Sequence, residues 1–332
     1  MSAPEAVLIS GGAGFMGRHL ARRLLAAGRP VTLLDLAAPP EDLLRAARWV
    51  RGSILDPEAV RCACRGAREV VHLAAKVSDF GPRREFLRLN LAGTASVLEG
   101  ARRAGARRFV HMSSLAVLDY RRGWRDAGED QARAGGHEFA YGRSKARAEA
   151  LVRAAHGAGL ETVVVRPGLF PFGPEDRLGS LGLLRAVERR RPVLLDGGRA
   201  LLGTAYVENL VDGLVLCLER PAAAGQLLHL ADAARLTWRE LIVAAAAALG
   251  VRPNLTSVPA RLVEPLAGTL ELLWGLLRVG GAPPLTRYRV RTASSDLHVT
   301  CPRAQALLGW APRVPLDEAL RRTVAWYQTV GR

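Results

Sequence analysis

Short runs of apolar, largely β-branched residues alternate with stretches of helical period over the first 165 residues. Residues 6–10, 31–35, 69–73, 108–113 and 162–166 read as strands, and residues 17–27, 84–103 and 141–155 as helices, closed by Gly28, Gly105 and Gly157 as stop signals. Strand and helix in strict alternation predict βαβ units, and so an α/β fold with a doubly wound parallel sheet. After Arg166 the texture changes to Pro/Gly-rich loops (166–174 and 196–203) and isolated helices, which predicts a smaller mixed α/β region.

Two later segments are strongly apolar. Residues 241–251 are too few to span a bilayer, and residues 262–280 are interrupted by Glu264, Glu271 and Arg278. The second segment carries Leu266, Leu270, Leu273, Trp274 and Leu277 at helical spacing. It reads as ordinary core, as a roof over an apolar pocket, or as a helix on a membrane surface, so peripheral membrane contact stays open. Residues 1–10 lack the basic region of a secretory signal.

Composition narrows the picture further. Apolar residues make up 49% of the 332 and charged residues 23%, as in ordinary globular chains. The net charge of +16 would point to nucleic acid were the basic residues clustered among aromatics. Instead 45 are arginines spread along the chain, aromatics are only 5%, and no basic-aromatic surface is evident, so nucleic acid is not an expected partner. Cys62, Cys64, Cys217 and Cys301 match neither a zinc nor a disulfide pattern, and a reducing cytoplasm fits them. His72, His111 and His137 lack metal-ligand spacing, so no metal is expected.

Candidate chemistry begins directly after the first strand. Gly11-Gly12-Ala13-Gly14-Phe15-Met16-Gly17 is a G-x-x-G-x-x-G array opening a helix. Such glycines permit a tight turn and let backbone amides approach a pyrophosphate at the helix N-terminus. The second strand ends in Asp35, 18 residues past Gly17, where a carboxylate accepts both ribose hydroxyls of adenosine; its plainer role is a helix-capping acid. With no arginine in Leu36-Ala37-Ala38 to receive a 2′-phosphate, NAD is expected over NADP. A Rossmann-type dinucleotide domain follows from that context.

Tyr141 and Lys145 form a Y-x-x-x-K pair one helical turn apart. A phenol beside an ammonium and a cationic nicotinamide ring is expected to titrate below its usual range, as an alcohol/ketone acid–base group must. Lys145 is one of only two lysines, with Lys76, in a chain that otherwise uses arginine. A compact point charge is what a guanidinium cannot replace. The strand at 108–113 ends in Ser113-Ser114, at the carboxyl edge where open α/β sheets bind ligands. Ser114 is placed to donate to the substrate oxygen while Ser113 serves the strand.

Together these residues resemble the extended short-chain dehydrogenase/reductases, and within them the 3β-hydroxysteroid dehydrogenase-like branch of the NAD-dependent epimerase/dehydratase family. The resemblance rests on Gly11–Gly17, Asp35, Leu73-Ala74-Ala75, Asn90-Leu91-Ala92-Gly93-Thr94, Ser113-Ser114, Tyr141 with Ser144 and Lys145, Arg166-Pro167-Gly168, Phe172-Gly173-Pro174, Tyr206-Val207-Glu208-Asn209, Pro284-Leu285-Thr286-Arg287 and Leu308-Gly309-Trp310-Ala311-Pro312. It implies Tyr141 as general acid/base, Lys145 as its modulator and ribose ligand, and Ser114 as the oxygen-positioning donor. It implies a cofactor held by Gly11, Gly14, Phe15, Met16, Gly17, Asp35, Ser53, Ile54, Leu73, Ala74, Ala75, Lys76, Ser113, Tyr141, Lys145, Pro167 and Gly168, and a homodimer through residues 84–103 and 141–155. Asn90 is expected to pin the helix after it. Two departures stand out: Ser53 where the family usually has Asp, which weakens the adenine contact or leaves it to backbone, and Leu118-Asp119 in place of Tyr-Gly after the serine strand.

The expected function is NAD-dependent interconversion of a secondary alcohol and a ketone on an apolar, steroid-like or β-hydroxy/β-keto acid-like substrate. Residues 1–168 and 204–231 are expected to bind NAD, and 169–203 and 232–332 the substrate. The alternatives are a nucleotide-sugar epimerase or dehydratase using the same Tyr/Lys pair, and a non-catalytic NAD-binding scaffold or redox sensor.

Overall fold

Buried apolar runs form the strands. β1 (Val7–Ser10), β2 (Val31–Asp35), β3 (Arg48–Arg51), β4 (Glu69–His72) and β5 (Arg108–Met112) lie in a seven-stranded parallel sheet with the strands Glu161–Pro167 and Leu227–Leu230. The order is Leu227–Leu230, Glu161–Pro167, β5, β4, β1, β2, β3. β1, β4 and β5 are buried along their whole length because helices cover both faces, as parallel sheets require. The computed structural model describes residues 5–131, 138–157, 159–277 and 279–330; His137 and Arg278 lie outside these.

All five predicted strands are present. β3 and Leu227–Leu230 were not predicted: β3 has exposed arginines at both ends and becomes a strand only through its register with β2, Thr32 opposite Arg48 to Asp35 opposite Arg51. From β3 the chain returns past β1 to β4, so the direction of winding reverses between β1 and β4. The crevice at such a switch point is where these sheets take ligands.

The predicted helix over 84–103 is broken into three. Arg83–Phe86 is α-helical, Leu87–Ala92 is π-helical, and Gly93–Arg103 resumes the α-helix. Gly93 is needed there, since a Cβ would come 2.4 Å from Cδ1 of Ile54.

A second, four-stranded sheet runs in the order Leu236–Thr237, Leu201–Leu202, Leu297–Val299, Trp124–Ala127. It draws Trp124–Ala127 out of the first half of the chain to pair with Leu297–Val299. Residues 241–251 fall largely in the helix Trp238–Leu249, which buries Leu241, Ile242, Ala245 and Ala246. The core reading of residues 262–280 is corrected: the helix Ala260–Leu276 buries only Ala260 and Ala267, and all of its leucines but the half-buried Leu270 are exposed. Among the described residues no helix is long and apolar enough to cross a membrane.

Candidate active site

The switch-point crevice is built by contacts too close for side chains. Gly11 has φ +75°, and a Cβ there would lie 2.8 Å from the Ala74 amide nitrogen; one at Gly17 would lie 2.2 Å from the Gly11 carbonyl oxygen. The loop after β1 is thus pressed against Leu73-Ala74, whose chain is tied back by the Leu73 amide donating to Ser10 O at 3.0 Å. The helix Phe15–Ala26 starts at Gly14 with no side-chain cap, so the amides of its first turn, Phe15 and Met16 included, remain available to an anion. Asp35 accepts from the amides of Ala13 (3.0 Å) and Ala37 (3.1 Å), which locks the loop to the end of β2. Each of its oxygens keeps a lone pair for a ribose hydroxyl.

Further round the rim, Ser53 Oγ accepts from the Leu55 amide at 3.1 Å. Its hydroxyl is engaged in a local turn, and Ile54 is buried against Gly93. Pro167 closes the strand Glu161–Pro167, and a Cβ on Gly168 would meet Thr204 O at 2.4 Å. Ser113 is held inside, its hydroxyl donating to Glu149 at 2.8 Å. Glu149 also accepts from buried Arg166 at 2.6 and 3.0 Å. This ionic support beneath the site was not singled out from the sequence, because Glu149 lies one turn past Lys145 on an apparently ordinary helix.

Ser114, Tyr141 and Lys145 converge at the carboxyl end of β5. Ser114 caps the short turn Leu115–Val117, accepting from the Ala116 amide at 3.1 Å, and its side chain is near enough to the Tyr141 phenol to act on its titration. Tyr141 and Lys145 project from the helix Ala140–Ala154. That helix is seated by Gly142, where a Cβ would lie 2.1 Å from Ala116 O. The Lys145 ammonium donates to Met112 O at 2.5 Å. Burial pulls its pKa down to about 8, with the Glu149 carboxylate opposing the shift.

Burial pushes the Tyr141 phenol well above its ordinary pKa, and the neighbouring Tyr288 adds to the rise while Ser114 opposes it. Among the chain's own groups Lys145 is not one of those that shift the phenol. The ammonium is engaged by Met112 O and leaves the phenol in a low-dielectric pocket, where the neutral form is favoured.

A polar chain runs under the site. Thr94 donates to Asn90 O at 2.6 Å, so it accepts from His72 Nε2 at 2.9 Å, and His72 Nδ1 then accepts from Ser10 Oγ at 2.6 Å. Asn90, turned inward by the π-helical turn, accepts from the Lys76 amide at 2.7 Å and donates to Lys76 O and Ser144 Oγ; Ser144 in turn donates to Tyr141 O. Asn90 therefore joins the Lys76 loop to the Tyr141 helix. The Lys76 ammonium pairs with Glu85 at 2.6 Å and sits 5.4 Å from the Phe86 ring centroid.

Aromatic side chains wall the phenol. Phe86 and Tyr288 approach the Tyr141 ring at 6.4 and 6.5 Å, and Phe139 meets Tyr288 edge-on at 5.1 Å. Tyr120 places its hydroxyl 3.4 Å from that of Tyr288. Leu118-Asp119 thus gives way to an aromatic hydroxyl one residue later, a substitution that sequence spacing alone did not reveal. Tyr288 belongs to the helix Arg287–Ser294, which is fastened to the crevice by Thr286 donating to Asp79 at 3.1 Å and by the Arg289–Asp79 ion pair.

This combination, a glycine loop at a switch point with Ser, Tyr and Lys converging beside it, matches the family model described as the NAD dependent epimerase/dehydratase family over residues 7–231. The chain belongs to that family. It is an enzyme of the extended short-chain dehydrogenase/reductase type, and NAD is the family's cofactor. It is 30% identical over 325 residues to a 2-alkyl-3-oxoalkanoate reductase of Stenotrophomonas maltophilia, covering 96% of this chain and 98% of that one. It is also 30% identical over 345 residues to the 3beta-hydroxysteroid-dehydrogenase/decarboxylase isoform 1 of Arabidopsis thaliana, covering 96% and 78%. The fold matches a UDP-glucose 4-epimerase of Thermotoga maritima with a TM-score of 0.79 at 20% identity, over 98% of this chain and all of that one.

Proposed function

We propose that this enzyme interconverts a secondary alcohol and a ketone on an apolar substrate, with Tyr141 as the proton donor and acceptor. The observation that carries the reading is the Tyr141 phenol, buried among Phe86, Tyr288 and Ser114 and held in its protonated form. NAD, when bound, supplies the hydride donor or acceptor. Tyr141 donates its proton to the carbonyl oxygen on reduction and takes it back on oxidation. Ser114 donates a hydrogen bond to the same oxygen as charge develops there. Lys145 uses one N–H on Met112 O and keeps two for ribose hydroxyls, and its charge stabilises the phenolate that proton donation leaves on reduction and that accepts the proton on oxidation.

An apolar substrate is supported by the aromatic wall and by relatives named for 2-alkyl-3-oxoalkanoates and 3β-hydroxysteroids. Asp35 supports NAD over NADP, since its carboxylate repels a 2′-phosphate. In this reading residues 1–168 and 204–231 hold the dinucleotide and 169–203 and 232–332 the substrate. Four free cysteines support a cytoplasmic setting. The homodimer through residues 84–103 and 141–155 is checked by analytical ultracentrifugation.

The test follows reduced-cofactor absorbance with NAD and NADP forms, long-chain β-keto acids, hydroxysteroids and UDP-sugars, for wild type and Tyr141→Phe. Turnover of a lipid alcohol or ketone is expected, falling about a hundredfold or more in the variant with NAD affinity retained. Conversion of a UDP-sugar to an epimer or a dehydrated product, seen by chromatography with no net change in reduced cofactor, would establish the epimerase or dehydratase reading instead, and NAD binding without conversion of any of these compounds would favour the scaffold.

A further inference from the structure

Large exposed apolar side chains are concentrated on one element. Leu262, Leu266, Leu272, Leu273, Leu276 and Leu277 are 45% to 71% exposed, all on the helix Ala260–Leu276 or at its C-cap. A surface helix ordinarily turns such residues to the core and its charges to water. Here the arrangement is inverted. Leu262, Leu266, Leu273 and Leu276, spaced by 4, 7 and 3 residues, form one stripe. Glu264 and Glu271 instead face the neighbouring helix Arg287–Ser294. Glu271 accepts from the Arg287 amide and Nε, each at 2.8 Å, and Glu264 pairs with Arg291 at 2.7 Å.

The charge around the stripe selects its occupant. Residues 252–291 hold six arginines and two glutamates, with no lysine or aspartate; Arg287 and Arg291 neutralise Glu271 and Glu264, and Arg289 is paired with Asp79. Arg252 and Arg261 are exposed, and no carboxylate among the described residues pairs with them. A second copy docking through the same face would bring like charges together. An anionic lipid surface supplies both an apolar layer for the leucines and phosphates for the arginines.

We propose that the helix Ala260–Leu276 lies in the surface of a membrane containing anionic lipids, its leucine stripe at the headgroup–acyl boundary. The helix that pairs with its glutamates carries Tyr288, whose ring is 6.5 Å from that of Tyr141. The membrane face and the catalytic pocket thus share one short element. This goes beyond the proposed reaction, and its test requires no turnover.

The full chain is sedimented with vesicles of phosphatidylcholine alone or mixed with phosphatidylglycerol, alongside the triple variant Leu266→Glu/Leu273→Glu/Leu276→Glu. Circular dichroism and NAD titration establish that the variant is folded. Wild type is expected to pellet with the anionic vesicles, to do so at least about tenfold less with phosphatidylcholine alone, and to be released by salt. The folded triple variant should stay in the supernatant. Wild type remaining soluble with both vesicles would overturn the proposal, as would a triple variant that still pellets. A wild-type dimer that the substitutions dissolve, without vesicle binding, would assign the face to a second copy.

Discussion

Burial acts on Tyr141 and Lys145 with opposite sign, raising the phenol and lowering the ammonium to about 8, because the uncharged form is in each case the cheaper one to bury. Their pairing was legible from four-residue spacing; what surrounds them was not. Glu149 illustrates the gap. It lies one turn beyond Lys145, yet its carboxylate joins Ser113 and Arg166, two residues from different strands, in a site where Glu149 and Arg166 are 3% and 2% exposed. Glu149→Gln removes the carboxylate that neutralises Arg166. It should cost about 3 to 5 kcal/mol in urea unfolding, and a loss below about 1 kcal/mol would show that this pair does not support the site.

At the scale of elements, close approach decides which residues can be present. The Tyr141 helix meets the Ser114 turn at Gly142, with only 2.1 Å between an ideal Cβ and Ala116 O. Gly142→Ala must push helix and turn apart, and so move the phenol from the serine hydroxyl. The expected result is a kcat lower by about tenfold or more, with NAD affinity little changed because the glycine loop is not involved; an unaltered kcat would mean that the two elements yield without separating. The same scale explains the missed break in residues 84–103. Leu87–Ala92 carries no helix-breaking proline or glycine, and the π-helical turn there becomes intelligible only from the partners of its buried Asn90, the Lys76 backbone and Ser144.

For the whole molecule, folding draws histidines from both sheets and from the first helix out of water as neutral rings. His72 and His229 are lowered to about 3, and His19, His111 and His298 are also shifted down, burial being the largest cause each time. Each binds its proton more weakly folded than unfolded. Their contribution to stability is therefore complete above about pH 6.5 and is lost as pH falls towards 3. Thermal unfolding should give a Tm that declines steadily below pH 6.5, and calorimetry should register proton uptake on unfolding in that range. Neither His111 ring nitrogen has a partner among the described residues. His111→Leu should then flatten the acid decline without loss at pH 7.5; an unchanged pH slope would remove His111 from this account.

Local chemistry was enough to determine the βαβ alternation, the glycine loop with Asp35, and the Ser114–Tyr141–Lys145 set, because each depends on periodicity or on short fixed spacing. Only the tertiary structure decided what joins distant segments. It assigned Arg48–Arg51 to the sheet, drew Trp124–Ala127 to Leu297–Val299, set Tyr288 against Tyr141 and turned the leucines of Ala260–Leu276 to the outside. Apolar periodicity says that a helix has a face, but which neighbour covers that face is a property of packing between segments far apart in the chain.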